Sequence, residues 1–182
     1  MFERLTEDAR SSVEVARSIV EKRGDKQIQP THLLLGVYEQ NPDIAITLDA
    51  HGLTSVVLDE VLDHDETASG LALLGIDQHA VAQSADRAFG SGVLERATSE
   101  SDSWFKRRFR SSQKTMFTRS AKTALERSLR IALDRGDAFI SDAHVALGAL
   151  STRQGPLSMY LALANIDIAA LELDLSRCVK SR

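Results

Sequence analysis

The sequence has little of what disulfide frameworks, β-rich folds and membrane spans require. Among its 182 residues are one Cys, three Pro and ten Gly, and aromatic residues make up only 5%. The single Cys178 excludes an internal disulfide and a cysteine-clustered metal site, and it is typical of a reducing compartment. No run approaches the ~18 apolar residues that a bilayer span requires. The charged N-terminus lacks the apolar core of a signal peptide, so we expect a cytoplasmic protein with no membrane partner.

The abundant residues are Ala and Leu, with 22 and 23 copies. Both favour helices, and 43% hydrophobic with 26% charged residues is the composition of a globular chain. The length allows one domain or two small ones. A formal net charge of -4 argues against a surface devoted to nucleic acid. The composition therefore favours helices in a globular protein.

The chain contains a tandem duplication. Residues 5–36 and 117–148 share eleven identities among 32 positions at a fixed offset of 112 residues, without a gap. The shared residues include Thr6 and Thr118, Gly24 and Gly136, His32 and His144, and Gly36 and Gly148. We predict one domain, 1–182, with repeat one at 1–63 and repeat two at 117–180.

Each repeat carries the signals of four helices. Thr6 and Thr118 are predicted N-caps of the first helices, which Gly24 and Gly136 end. The second helices are predicted to start near Pro30 and Ser141, and each contains a glycine at the same place. Because glycine disfavours a helix interior, its repetition there indicates a close helix crossing.

The stretch between the repeats differs from both. Residues 64–97 resemble a partial extra copy of the last helix pair, whereas 98–116 is Ser-rich and is predicted to be a flexible basic linker. Its aromatic and basic residues alternate, which suggests contacts through Trp104, Phe105, Arg107 and Arg108. We favour a segment that binds a partner, or one that docks on the chain itself by folding back onto the acidic run 59–66. Nucleic-acid binding or regulation by 104–114 is the alternative.

Motifs for catalysis and metal binding are missing. No Gly precedes a Lys, which excludes a phosphate-binding Walker loop, and neither His-Glu-x-x-His nor Gly-x-Ser-x-Gly occurs. A calcium loop beginning at Asp63 would carry Ala68 and Leu74 where Gly and Glu are needed. His32 and His144 suit either a shared metal or proton site or a hydrogen bond to backbone in a helix packing. Because both adjoin apolar runs, we favour packing and predict a non-enzymatic protein without cofactors.

Two strings resemble a known family. The opening 1–6 with Ala9-Arg10, and Thr31 to Gly36, are similar to the Clp repeat (Clp R) N-terminal domain of ClpC-type AAA+ unfoldases. Residues 117–122 and 144–148 resemble its second repeat. The resemblance implies an all-α domain of two pseudo-symmetric four-helix Clp repeats. In the family this domain docks substrates and adaptors without catalysis. Because no AAA+ module follows, we expect a stand-alone adaptor, a decoy, or a sponge for cyclic-peptide antibiotics.

The resemblance also implies site residues and partners. Phe2 and Phe117 match a phenylalanine that helps form the family's cyclic-peptide surface, although both also suit staples on their own first helices. Arg10 and Lys122, from the matching strings, join this predicted peptide- and partner-binding set. The expected partners are a Clp unfoldase, its adaptors or its clients, and cyclic peptides.

One property of the family is placed in doubt by this sequence. A glutamate before the family's histidine helps recognise phosphorylated arginine, but Thr31 and Ala143 stand at the equivalent positions. Neither side chain offers a carboxylate to a guanidinium group.

Overall fold

The computed structural model describes residues 2–63, 116–152 and 155–179, all within one compact unit formed by residues 1–64 and 115–182. A short 3-10 helix, Phe2–Arg4, begins the first repeat. The α-helices of this repeat are α1 Glu7–Arg23, α2 Pro30–Gln40, α3 Pro42–Ala50 and α4 Ser55–Asp63. Those of the second are α5 Arg119–Asp134, α6 Asp142–Leu150, α7 Pro156–Leu163 and α8 Ile168–Arg177. The predicted all-α fold of two four-helix repeats is confirmed. The predictions for 64–97 and 98–115 lie outside the described residues.

The first helix of each repeat begins and ends as the sequence predicts. The Thr6 hydroxyl accepts a hydrogen bond from the Ala9 N–H at 3.2 Å, and the Thr118 hydroxyl accepts one from the Ala121 N–H at 3.1 Å. Gly24 and Gly136 follow the last turns with φ of 76° and 79°, a conformation that side chains with a Cβ disfavour. The duplication therefore preserves both helix ends.

The second helices form the centre of the fold. α2 packs against α1, α3, α4 and α6, and α6 packs against α5, α2 and α8. All nine residues of α6 are buried, as expected for a helix that is apolar around most of its circumference. The other helices surround this pair, so the core runs through both repeats without a break.

Glycine makes the contact between first and second helices possible. A Cβ on Gly36 would collide with the backbone oxygen of Ser12, and one on Gly148 would collide with the backbone oxygen of Ala124 and with Ser128. The predicted close crossing is confirmed in both repeats. A larger side chain at either position would push the two helices apart.

The repeats also exchange backbone hydrogen bonds. Two-residue strands, β1 Gln27–Ile28 and β2 Met116–Phe117, pair in parallel with Ile28 opposite Phe117. At the pseudo-symmetric place Leu5 forms a parallel bridge with Ile140. This short pairing was not predicted, because two-residue segments are too short to show the alternating pattern of a strand.

None of the helices in the described ranges is by itself long and apolar enough to cross a bilayer. Only when α7 and α8 are taken together are they long and apolar enough, and they are bent by 111° relative to each other.

Candidate functional site

The histidines of the two repeats occupy equivalent caps at the start of α2 and α6. His32 Nδ1 accepts a hydrogen bond from the Gln29 backbone N–H at 3.1 Å, and His144 Nδ1 accepts one from the Ser141 N–H at the same distance. Since Nδ1 accepts, the proton of each neutral ring lies on Nε2. The predicted structural role, in which each histidine bonds a neighbouring backbone group, is confirmed.

The second ring nitrogen of each histidine faces a carboxylate of its own repeat. His32 Nε2 lies 3.0 Å from an oxygen of Asp25, and His144 Nε2 lies 3.2 Å from an oxygen of Asp137. Burial lowers the pKa of both histidines, and these aspartates only partly oppose that shift. Both rings are therefore neutral near pH 7. Both ring nitrogens of His32 are engaged in hydrogen bonds, whereas His144 Nε2 lies near Asp137 without hydrogen-bond geometry. Because both side chains are at most 1% exposed, neither ring is placed to exchange protons with a ligand.

An arginine completes the cluster in each repeat. Arg23 forms ion pairs with Asp25, with Asp59 at 3.0 Å and with Asp63, so it joins the end of α1 to α4. Arg135 pairs with Asp137 at 3.6 Å and donates a hydrogen bond to the backbone oxygen of Ser176. These contacts tie the first helix of each repeat to its fourth. Within the described ranges, no three His, Cys, Asp or Glu side chains are grouped as metal ligands.

Of the two predicted phenylalanines, only Phe117 has a described side chain. It is half-buried and packs against the core beside the strand pairing between the repeats. Phe2 lies in the 3-10 helix, three residues before Leu5. Leu5 and Phe117 are the residues that occupy equivalent backbone pairings, so Phe2 and Phe117 are not at equivalent positions.

Arg10 and Lys122, by contrast, are equivalent. Each is the fourth residue of its helix, α1 or α5, and each is exposed. Neither forms an ion pair with a described carboxylate. Both remain candidates for contacts with a partner.

The two positions that the family resemblance connects with phosphoarginine recognition are buried. Thr31 is 1% exposed and Ala143 is 2% exposed, each in the first turn of its second helix. Besides lacking a carboxylate, these side chains face the interior and are closed to a phosphorylated side chain. The four linker residues predicted to make contacts, Trp104, Phe105, Arg107 and Arg108, lie outside the described residues.

A buried carboxylate between the repeats was missed by the sequence reasoning. Asp142, 4% exposed at the start of α6, accepts a hydrogen bond from the Ser12 hydroxyl at 2.8 Å and one from the Asn41 amide at 3.4 Å. Burial raises the pKa of Asp142, while these two donors oppose that shift. Its counterpart by the offset is Pro30, so the contact breaks the pseudo-symmetry. Because its partners are 130 and 101 residues away, no local pattern signals it.

Comparison with known proteins identifies the fold. Residues 116–182 match the family model of the Clp repeat (R) N-terminal domain. The structure is similar to the N-terminal domain of the caseinolytic protease associated chaperone ClpD from Arabidopsis thaliana. The TM-score is 0.57 at 16% identity, over 98% of this chain and 96% of that one. The Hsp104 N-terminal domain from Candida albicans gives a TM-score of 0.56 at 10% identity, over 98% and 93% of the two chains.

No curated protein has significant sequence similarity to this chain. The predicted resemblance to Clp repeat N-terminal domains is nevertheless confirmed. It is confirmed in sequence for the second repeat and in fold for the chain.

Proposed function

We propose that this chain is a non-catalytic module that docks proteins or peptides, as the related N-terminal domains do in Clp unfoldases. The observation that carries the proposal is the Clp repeat match of residues 116–182, together with a shared fold over 98% of the chain. The histidine clusters support it, because both rings are buried and neutral. Docking takes place at the protein surface, so it requires no chemistry from these buried residues.

Within that function we propose a role in the Clp degradation system of the cytoplasm. The partners are a Clp unfoldase, its adaptors or its clients, and the role is that of an adaptor, a decoy or a cyclic-peptide sponge. Phe117 supports a docking surface at the junction of the repeats, because it lies beside the strand pairing and is only half-buried. Arg10 and Lys122 supply exposed cations, near the starts of the first helices, that pair with no carboxylate in the described part of the chain.

The test is a crosslinking capture from native lysate with the full-length chain as bait. The control for nonspecific binding to unfolded bait is a Gly148→Val variant. Its new side chain would collide with α5 and disrupt the fold. We expect a Clp unfoldase, its adaptors or its clients to be enriched on the wild type over this control. Enrichment of no Clp component would contradict the proposal.

A reconstituted unfoldase and protease separate the three roles. Faster degradation of a client on adding the chain identifies an adaptor, and slower degradation identifies a decoy. A sponge by itself leaves the degradation rate unchanged. When a cyclic-peptide antibiotic is also present, a sponge returns the degradation rate towards its value without the antibiotic. No effect in any of the three assays would contradict the role in degradation.

A further inference from the structure

The first helices of the two repeats share their shape but differ in charge. α1 carries four basic and four acidic residues, whereas α5 carries four basic and two acidic ones. The basic residues of α5 are Arg119, Lys122, Arg127 and Arg130. By the 112-residue offset, only Lys122 has a basic counterpart in α1. The duplication has therefore produced a cationic helix in one repeat and a balanced helix in the other.

The cations of α5 lie along one exposed stripe. Arg119, Lys122 and Arg130 are exposed, and the intervals between them and the exposed Glu126 are three or four residues, which align on one helix face. Among the described residues, no carboxylate forms an ion pair with Arg119, Lys122, Arg127 or Arg130. On α1, by contrast, Arg17 pairs with Glu21 at 3.0 Å. The α5 stripe, as we call Arg119, Lys122, Glu126 and Arg130, thus presents to a partner three exposed cations that pair with no described carboxylate.

Folding does not account for a cation at the start of α5. Arg119 is the first residue of the helix, where the macrodipole favours negative charge, and the first turn has no acidic residue. The equivalent turn of α1 has Glu7 and Asp8. An arrangement that opposes helix stability without internal compensation is expected at a surface used for binding.

We propose that the α5 stripe docks an acidic segment of a protein partner, an inference that rests on the docking function proposed above. Arginine matches carboxylates through two parallel hydrogen bonds, and it is enriched at protein interfaces. The exposed Leu133, one turn beyond the stripe, offers apolar contact to the same segment. α5 is about 24 Å long, so an extended partner segment of about seven residues would span it.

The same surface is poorly suited to nucleic acid. Glu126 lies between the cations, where it would repel a phosphate backbone, and α5 has no aromatic residue on which a base could stack. A mixed acidic and apolar polypeptide meets neither obstacle, because a lysine of the partner can pair with Glu126.

The experiment selects peptides from a random display library on the full-length chain. We expect the wild type to enrich sequences rich in Asp and Glu with interspersed apolar residues. The variant Arg119→Glu/Arg130→Glu should lose this enrichment, and its affinity for the selected peptides should fall about tenfold. The matched control is Lys22→Glu, an exposed cation of α1 outside the proposed binding set, which should keep both. Because all these side chains are exposed, circular dichroism should report the same fold for each variant.

Each contrary result overturns the inference. Selection of peptides without acidic enrichment would do so, as would equal selection by the wild type and the α5 variant. A single-stranded oligonucleotide could bind more tightly than the selected peptides and lose that binding in the α5 variant. That result would identify nucleic acid, and not a protein, as the partner of the stripe. In the lysate capture, an α5 variant that still retains Clp components refutes this inference and leaves the docking function intact. If the wild type itself retains none, the proposed function has failed.

Discussion

Thr6 donates its backbone N–H to the carbonyl oxygen of Ile140 at 3.0 Å, across the boundary between the two repeats. The pseudo-symmetric bond runs from the Thr118 N–H to the Ile28 carbonyl at 2.9 Å. Each repeat thus caps the loop between the first two helices of the other. Residues that are 134 and 90 positions apart become neighbours, and both repeats lie within one compact unit.

Replacing Gly148 by Ala should destabilise the protein strongly. The new Cβ would collide with the backbone of Ala124 and with Ser128 on α5, so α5 and α6 must separate. We expect the free energy of unfolding in urea to fall by about 3 kcal/mol. The matched control is Gly136→Ala, whose Cβ meets nothing within 4 Å but whose φ of 79° is strained for alanine. That variant should lose about 1 kcal/mol, and equal losses would contradict the steric explanation.

The hydrogen bond between Ser12 and Asp142 should stabilise the junction of the repeats. Ser12→Ala removes the closest donor to a buried carboxylate, and we expect it to cost about 2 kcal/mol of unfolding free energy at pH 7. Alanine fits sterically, since Ala124 is the counterpart of Ser12. In an Asp142→Asn background the same change should cost less, because no buried charge remains to be stabilised. A double-mutant cycle in urea measures this coupling, and strictly additive losses would contradict it.

Stability should fall in mild acid because of His32 and His144. Burial lowers the pKa of both in the folded protein, so below a pH of about 6.5 the unfolded chain binds more protons. The unfolding free energy then falls as the pH falls, by up to about 1.4 kcal/mol per pH unit for each histidine. Asp142 has the opposite sign, because its raised pKa makes the folded state bind more protons above its ordinary pKa. Thermal melts between pH 5 and pH 7 separate these groups when repeated on His32→Asn/His144→Asn, which should flatten the profile. An unchanged slope would exclude the histidines.

The predicted cyclic-peptide surface is tested by calorimetry with an antibiotic that targets Clp N-terminal domains. If Phe2 and Phe117 contribute, Phe2→Ala and Phe117→Ala should each weaken binding about tenfold, through lost apolar contact. Phe117→Ala should also lower the unfolding free energy by about 1–2 kcal/mol, because the ring packs against the core. Tyr38→Phe, a conservative change at another half-buried aromatic ring, is the control. Wild-type affinity in both alanine variants would remove these residues from the site.

Local features of the chain were predictable because they depend on short stretches of sequence. The Thr6 and Thr118 caps, the glycines after the first helices and the glycines within the second helices follow from hydrogen bonding and steric limits within a few residues. The packing role of His32 and His144 followed from their places beside apolar runs. The 112-residue offset then related one repeat to the other without any knowledge of their contacts.

The sequence by itself determined a duplicated, helical protein without a recognisable catalytic motif. Only the tertiary structure decided which residues of the two repeats occupy equivalent positions. It paired Leu5 rather than Phe2 with the position of Phe117, and it buried Asp142 against Ser12 of the other repeat. The physical reason is that periodicity and capping act over one or two helical turns. Contacts across a hundred residues or more depend instead on how the apolar faces of both repeats pack together, which no local pattern encodes.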